Sequence, residues 1–259
     1  MRVQQLFDLS GTTAIVTGGH RGIGFHIARG LAEAGSNIVV AARSKEACEK
    51  AAKELSGLGV KTLAVQCDIQ RADDIEHLAE EAAANFGTVD VLFNNAGVGW
   101  AASPEDMPLD QWNRVIETNL TGTFLCCQKI GKIMIRQKKG KIINIVSVGG
   151  FVGSPSMNAV GYSSSKGGII ALTRDLAIKW VDHNIQVNGI APGLFPTKMT
   201  EFVKHPSMTE VYKRLIAEIP MKRMGTEEDI KGVAVLLASR ASDYITGHII
   251  PVEGGFLAW

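Results

Sequence analysis

The chain has 259 residues, of which 46% are hydrophobic and 20% are charged, and its formal net charge is +1. This length favours one domain, residues 1–259, over two. The near-neutral charge gives no basic surface of the kind that binds nucleic acid or anionic membranes, and no apolar run approaches the roughly 18 residues of a membrane span. We therefore expect a soluble, cytoplasmic protein with no nucleic-acid or membrane partner.

The four cysteines match no spacing that is typical of metal ligands. They are Cys48, Cys67, Cys126 and Cys127. The last two are adjacent and therefore poorly placed to form a disulfide with each other. Free thiols in a reducing cytosol are the simplest interpretation, and we predict no metal site.

The first apolar segment, residues 12–17, is a short β-branched run that predicts a buried parallel strand. It leads into the turn Gly18-x-x-x-Gly22-x-Gly24 and then into a helical pattern at 25–34. A helix N-terminus offers N–H groups to an anion, and glycines let the backbone approach a pyrophosphate. The spacing also fits a plain tight turn, but the strand–turn–helix context favours a dinucleotide site.

The second predicted strand, residues 37–42, ends in Arg43. In a βαβ unit this end faces the adenosine ribose, where an acidic residue suits a 2′-hydroxyl and an arginine suits a 2′-phosphate. No Asp or Glu occurs from Ile38 to Arg43, and Arg21 in the glycine turn is a second available cation. The pattern favours NADP(H) over NAD(H), and the alternative is that both arginines are solvated.

Helical and strand patterns then alternate, which is typical of a doubly wound parallel sheet. Ligands of such sheets bind at the carboxyl ends of the strands, where Asp68 and residues 94–97 are expected. The two adjacent asparagines could equally be turn formers. The predicted helices after the first are 45–56, 73–86, 109–137, 162–181 and 226–238. The predicted strands after the second are 60–66, 89–93, 141–146, 185–190 and 245–252, and a lid with helical parts is expected at 194–215.

Tyr162 and Lys166 are four residues apart, which places them one turn apart on the same helix face. A lysine ammonium beside a phenol favours the phenolate and should lower the tyrosine pKa from its usual value of about 10. Such a tyrosine can exchange a proton with a carbonyl or alcohol oxygen. The pair alone is also typical of an amphipathic helix with a snorkelling lysine, so its meaning depends on the other motifs.

Taken together and in this order, the motifs resemble the short-chain dehydrogenase/reductase family over about residues 9–255. The matching motifs are Thr17-Gly18-x-x-x-Gly22-x-Gly24, Asp68, Asn94-Asn95-Ala96-Gly97, Asn119, Ser147, Tyr162-x-x-x-Lys166 and Pro192-Gly193. The resemblance implies a single-domain, Rossmann-type α/β fold with a seven-stranded parallel sheet in the order 3-2-1-4-5-6-7 and helices on both faces. It also implies an oxidoreductase that interconverts a ketone and a secondary alcohol.

The resemblance implies roles at the matching positions as well. Tyr162 would exchange the proton, Ser147 would orient the substrate oxygen, and Lys166 would tune Tyr162 and bind the nicotinamide ribose. Asn119 would hold a water that links Lys166 to solvent. Gly18, Gly22 and Gly24 would face the pyrophosphate, Asp68 the adenine and Asn95 the adenosine ribose. The residues after Pro192-Gly193, through Thr197, would position the nicotinamide carboxamide. The expected cofactor contacts are Gly18, His20, Arg21, Gly22, Ile23, Gly24, Arg43, Cys67, Asp68, Ile69, Asn95, Ala96, Gly97, Tyr162, Lys166, Pro192, Gly193, Phe195 and Thr197.

The predicted substrate pocket has mostly apolar walls beneath a basic lid. The expected wall residues are Trp100, Gly149, Phe151, Met157, Phe195 and Met199, and the lid cations are Lys198, Lys204, His205, Lys213 and Arg214. Such a pocket suits a carbonyl compound with an anionic handle. We favour a 3-oxoacyl thioester over a keto sugar acid, because the hydroxyls of a buried sugar need polar walls.

Two further expectations concern function class and assembly. A catalytically idle NADP-binding sensor or scaffold would share the fold, but such a protein should lose the Ser, Tyr or Lys that this chain retains. The apolar helices at 112–125 and after Tyr162, which relatives bury against a second subunit, and the apolar C-terminus at 256–259 predict a homotetramer.

Overall fold

The computed structural model describes residues 1–154, 158–198, 200–201 and 209–258. Its centre is one seven-stranded sheet in the order β3-β2-β1-β4-β5-β6-β7, and every neighbouring pair of strands is parallel. The predicted Rossmann-type strand order is therefore confirmed. The strands are β1 (Thr13–Thr17), β2 (Asn37–Ala42), β3 (Thr62–Gln66), β4 (Val91–Asn94), β5 (Gly140–Ile145), β6 (Ile185–Pro192) and β7 (Ile249–Val252).

Helices cover both faces of this sheet, as predicted. The described helices are α1 (Val3–Leu6), α2 (Gly22–Glu33), α3 (Lys45–Ser56), α4 (Ala72–Phe86), α5 (Leu109–Ile116), α6 (Gly122–Gln137), α7 (Val160–Trp180), α8 (Thr209–Glu218) and α9 (Glu227–Ala238). Among these described segments, none is long and apolar enough to cross a membrane.

The core forms two layers because successive side chains of a strand point to opposite faces. Ala14 and Val16 of β1 pack with α2, α3 and α9, whereas Ile15 packs with α4, α6 and α7. Burial on both faces explains why the strands read as continuous apolar runs. The carboxyl ends of β1 to β6, which are adjacent in the sheet, therefore lie along one edge.

Two features of the helical layers were not predicted from the sequence. The segment at 109–137 is not one continuous helix, because a π turn at Glu117–Thr121 separates α5 from α6. There the N–H of Gly122 donates to the carbonyl of Glu117, five residues earlier. A π turn adds one residue without breaking the apolar periodicity strongly, so the pattern hides it. The short helix α1 carries no buried residue, and the sequence contains no apolar pattern that predicts it.

Candidate active site

A cleft of about 970 Å³ opens along the carboxyl edge of the sheet. Every predicted cofactor contact lines it, together with Ser147. Apart from Tyr162 and Lys166 on α7, these residues come from the ends of β1 to β6, so the parallel topology brings together side chains that are distant in sequence. Within the described residues, no group of His, Cys, Asp and Glu is placed to hold a metal ion.

The glycine turn at one end of the cleft has the shape of an anion cradle. Gly18 and Gly22 adopt φ angles of +65° and +54°, a region that side-chain-bearing residues rarely occupy. A Cβ at Gly24 would collide with the Asn95 side-chain amide and lie 2.5 Å from the Gly18 carbonyl. The turn therefore requires glycine at these positions, and it leaves the first N–H groups of α2 beside the cleft, where a pyrophosphate fits.

Asn95 supports this turn from below. Its side-chain amide donates to the carbonyls of Thr17 (2.9 Å) and Gly18 (3.3 Å), and its backbone N–H donates to Thr17 Oγ1 at 3.0 Å. The predicted contact with the adenosine ribose remains a prediction. The structure shows that Asn95 links the ends of β1 and β4. From the sequence alone, a turn-forming role was an equal alternative.

The ribose end of the cleft is cationic. Arg21 and Arg43 both line it and are exposed, and neither forms an ion pair with a carboxylate of the described residues. Ala42, at the end of β2, is buried. The two guanidinium groups are therefore available to an anionic ligand, which is the chemistry that a 2′-phosphate requires.

The opposite wall of this end is formed after β3. Cys67 and Ile69 are buried, and burial raises the pKa of the Cys67 thiol to about 12, so the group stays neutral. Asp68 accepts a hydrogen bond from the N–H of Gln70 at 3.1 Å, and the Gln70 side chain donates to Thr118 Oγ1 at 2.8 Å. Gln70 and Thr118 line the cleft but were not predicted, because no motif marks them.

Ser147, Tyr162 and Lys166 meet at the other end of the cleft. Ser147 follows β5, and the other two lie one turn apart on α7. Ser147 lies beside Tyr162, close enough for its hydroxyl to lower the pKa of the phenol. Lys166 Nζ lies 5.6 Å from the Tyr162 ring centroid and donates to the carbonyl of Ile145 at 2.6 Å. The predicted triad is thus assembled, with two hydroxyls that can reach one ligand oxygen.

The predicted net lowering of the Tyr162 pKa is wrong for this structure. Burial raises the pKa of Tyr162, and the hydrogen bond from Ser147 only partly opposes that effect. The ammonium of Lys166 is directed at the Ile145 carbonyl, and burial lowers its pKa to about 8. At neutral pH the triad therefore contains a protonated phenol above a buried ammonium.

Asn119 does not line the cleft, although it is fully buried. Its side chain accepts from the N–H of Val98 (2.8 Å) and donates to the carbonyl of Val98 (2.9 Å) and to Ser165 Oγ (3.0 Å). It thereby ties the loop after β4 to α7. The proposed water contact of Asn119 remains a prediction, and this bracing function was not anticipated.

The substrate end confirms only part of the predicted wall. Trp100, Gly149 and Phe195 line the cleft, whereas Phe151 is 40% exposed and does not, and its neighbour Val152 lines it instead. Met157 and Met199 lie outside the described residues, as do the lid cations Lys204 and His205. The lining residues that were not predicted include Val211, Leu215 and Glu218 of α8 with Ile219, Phe256, Ser154 and Asn158. The amphipathic pattern of α8 was the one available signal for its apolar members.

Titration of the buried Lys166 should appear in the stability of the protein. Its pKa is lowered from 10.5 to about 8 in the folded state, so the unfolded chain binds more protons between these values. The free energy of unfolding therefore rises with pH in that interval, by up to about 1.4 kcal/mol per pH unit. We expect urea unfolding between pH 8 and 9.5 to show wild type gaining stability relative to Lys166→Met.

The control is Lys179→Met, which removes an exposed lysine of the same helix, paired with Asp175. Its stability should stay parallel to that of wild type over the same pH interval. Parallel curves for wild type and Lys166→Met would instead contradict the assignment of a buried lysine with a low pKa.

Comparison with known proteins shows what the chain is similar to. A family model described as enoyl-(acyl carrier protein) reductase matches residues 18–257. The chain is 38% identical over 244 residues to 3-oxoacyl-[acyl-carrier-protein] reductase FabG of Staphylococcus epidermidis, which covers 94% of this chain and 98% of the relative. It is 35% identical over 255 residues to 5-keto-D-gluconate 5-reductase of Escherichia coli, covering 98% and 99% of the two chains.

A solved structure shares the fold over the whole length. It is a gluconate 5-dehydrogenase from Burkholderia cenocepacia in complex with NADP and tartrate, with a TM-score of 0.93, 32% identity and full coverage of both chains. Together with the ordered motifs and the strand order, these similarities show that the chain belongs to the short-chain dehydrogenase/reductase family of oxidoreductases.

Proposed function

We propose that the protein is an NADP(H)-dependent oxidoreductase that interconverts a ketone and a secondary alcohol. The observation that carries this proposal is the convergence of Ser147, Tyr162 and the buried Lys166 at one end of a cleft whose other end has a glycine turn that fits a pyrophosphate. NADP(H), when bound, supplies or accepts the hydride. The protein must then supply geometry and a proton.

Each member of the triad has a distinct role in this proposal. Tyr162, with its raised pKa, is protonated at neutral pH and donates its proton to the substrate oxygen during reduction. Ser147 orients the same oxygen and helps to stabilise the charge that develops on it. Lys166 stabilises the phenolate that remains after proton transfer, since an ammonium favours a nearby anion.

The replacement Tyr162→Phe tests this assignment. It keeps the ring but removes the transferable proton, so kcat should fall by about 10²–10⁴-fold. The Kd for NADPH should remain close to that of wild type. Tyr244→Phe is the matched control, because Tyr244 is fully exposed and outside the cleft. A Tyr162→Phe enzyme with near wild-type kcat would remove Tyr162 from the mechanism.

NADP(H) is the proposed cofactor because Arg21 and Arg43 line the cleft, are exposed and form no ion pair with a carboxylate of the described residues. The NADP complex of the Burkholderia cenocepacia relative supports this choice. Each charge-assisted contact to a phosphate contributes about 1.5–3 kcal/mol, so NADPH should be preferred over NADH by about tenfold or more.

The cofactor preference is measured as the ratio of kcat/KM for NADPH and NADH. The double variant Ala42→Asp with Arg43→Leu should invert the ratio, because a carboxylate suits a 2′-hydroxyl and repels a phosphate. Arg174→Leu removes an exposed arginine outside the cleft and should leave the ratio unchanged. Equal kcat/KM values for the two cofactors in wild type would refute the proposal.

A 3-oxoacyl thioester is the proposed substrate class. The described wall is largely apolar, with Trp100, Val152, Leu215 and Phe256 among its members, which suits an acyl chain. Lys198 lines the cleft and is exposed at its mouth, where it can meet an anionic handle. The similarity to the 3-oxoacyl-[acyl-carrier-protein] reductase of Staphylococcus epidermidis agrees with this substrate class.

A keto sugar acid is the second candidate, because the wall also contains the polar residues Ser154, Asn158 and Glu218. Buried sugar hydroxyls need such partners. We expect kcat/KM with NADPH to be higher for acetoacetyl-CoA than for 5-ketogluconate when both are measured in parallel. A preference for the keto sugar acid of more than about tenfold, or 1.4 kcal/mol, would reverse the proposed substrate class.

The alternative of an idle sensor or scaffold is tested by the same measurements. Background rates of NADPH oxidation across a panel of carbonyl compounds, with intact NADPH binding, would favour it.

The single-domain organisation, the homotetramer and the cytoplasmic location also remain proposals. The tetramer is supported by Phe124 of α6 and Ile178 of α7, which are 41% and 77% exposed in one chain, and static light scattering at micromolar concentration measures it.

A further inference from the structure

The hydroxyl of Thr200 lies at the centre of a dense set of hydrogen bonds beside the cleft. Its Oγ1 is 2.8 Å from the backbone N of Thr197, 2.7 Å from the carbonyl oxygen of Phe195 and 3.1 Å from the carbonyl oxygen of Thr197. It is also 3.3 Å from Thr197 Oγ1, and this hydroxyl pair can be oriented in either direction. These contacts fix the backbone between Phe195 and Thr197.

Counting protons decides the direction of that hydroxyl pair. A hydroxyl has one proton to donate and two lone pairs. The Phe195 carbonyl can only accept, and at 2.7 Å a proton must lie between the two oxygens, so the Thr200 hydroxyl donates there. The N–H of Thr197 occupies one Thr200 lone pair. The remaining lone pair can only receive the proton of the Thr197 hydroxyl.

The consequence concerns what Thr197 can offer to a ligand. Among the described residues, Thr200 is the one hydrogen-bond partner of Thr197 Oγ1, and both threonines line the cleft. With its proton committed to Thr200, Thr197 presents only lone pairs to the cleft. A donor such as an amide N–H can therefore bind Thr197 without breaking this bond, whereas a phosphate oxygen would require the Thr197 proton to leave Thr200.

Thr197 also lies at the cofactor part of the cleft. Its methyl carbon is 3.4 Å from the position that a Cβ would occupy on Gly22 of the glycine turn. Outside the adenine, the N–H donors of NADP(H) are those of the nicotinamide carboxamide. A lone-pair-only Thr197 thus matches the carboxamide and mismatches the pyrophosphate that the turn is shaped to hold.

We propose that Thr200 is a positioning residue whose hydroxyl fixes the proton of Thr197, so that Thr197 accepts a hydrogen bond from the carboxamide N–H of the cofactor. This inference rests on the proposed NADP(H) dependence. Thr200 would then act on the nicotinamide through Thr197. The sequence motifs did not predict a role for Thr200.

The test is a set of Kd measurements by isothermal titration calorimetry on the full-length protein. The ligands are NADP⁺, its 3-acetylpyridine analogue, which has a methyl ketone in place of the amide, and adenosine 2′,5′-bisphosphate, which lacks the nicotinamide half. The proteins are wild type, Thr200→Val, Thr200→Ser and Thr197→Val. Valine keeps the shape of threonine without the hydroxyl, and serine keeps the hydroxyl. Thr200→Ala is a second hydroxyl-free variant at the same position.

We expect wild type and Thr200→Ser to prefer NADP⁺ over the acetylpyridine analogue by about fivefold to tenfold, the equivalent of one hydrogen bond of about 1–1.4 kcal/mol. Thr200→Val, Thr200→Ala and Thr197→Val should lose most of that preference. The freed Thr197 hydroxyl can turn and donate to the acetyl oxygen, or is absent. The Kd for adenosine 2′,5′-bisphosphate should be the same in every protein.

Three results would overturn the role of Thr200 while leaving the proposed function intact. They are an undiminished preference in both hydroxyl-free Thr200 variants, equal weakening of all three ligands in them, and equal weakening of both dinucleotides by Thr197→Val, which would indicate a phosphate contact. A wild type that binds none of the three ligands would refute the proposed NADP(H) dependence itself, and the role of Thr200 with it.

Discussion

The buried ammonium of Lys166 is the constraint on which the catalytic end of the cleft depends. Its side chain is 4% exposed, and the shift of its pKa to about 8 corresponds to about 3 kcal/mol against the charged form. The fold sustains this cost because α7 is anchored independently, through Ile169 and Ile170 in the core. The end of β5 then serves both partners, since the Ile145 carbonyl holds the lysine and Ser147 holds the tyrosine.

Side-chain amides hold in place the loops that lie outside regular secondary structure. Asn95 bonds to the glycine turn, and Asn119 bonds to Val98 and Ser165. Below them, Asn144 of β5 accepts from Asn94 and donates to Thr173 of α7, each at 2.9 Å. Buried amides that bond across elements hold those elements in one relative position, because a lost partner would leave a polar group desolvated. The cleft therefore has a rigid floor.

The two halves of the cleft differ in construction. The dinucleotide half is formed by strand ends and the turns that follow them, whose positions are set by the parallel sheet. The substrate half is closed by residues that lie beyond the sheet, such as Leu215 of α8 and Phe256 near the C-terminus. Thr200 lies between these halves, and its hydroxyl joins the backbone after β6 to the segment that leads towards α8. Chemistry common to the family and selectivity particular to this chain are thus located on different scaffolds.

The sequence by itself determined the alternating α/β pattern, the glycine turn and the Tyr162–Lys166 pair, because periodicity and residue spacing are local signals. The strand order and the place of Ser147 beside that pair followed from the resemblance of the ordered motifs to a known family. Only the tertiary structure decided how these groups are poised. The raised pKa of Tyr162 comes from burial, which no local pattern encodes. The π turn at Asn119, the absence of Phe151 from the wall and the role of Thr200 likewise depend on which side chains converge in space. Some of these contacts join residues that are distant in sequence, and others depend on the direction of a single hydrogen bond. Neither kind of contact produces a periodic pattern in the sequence.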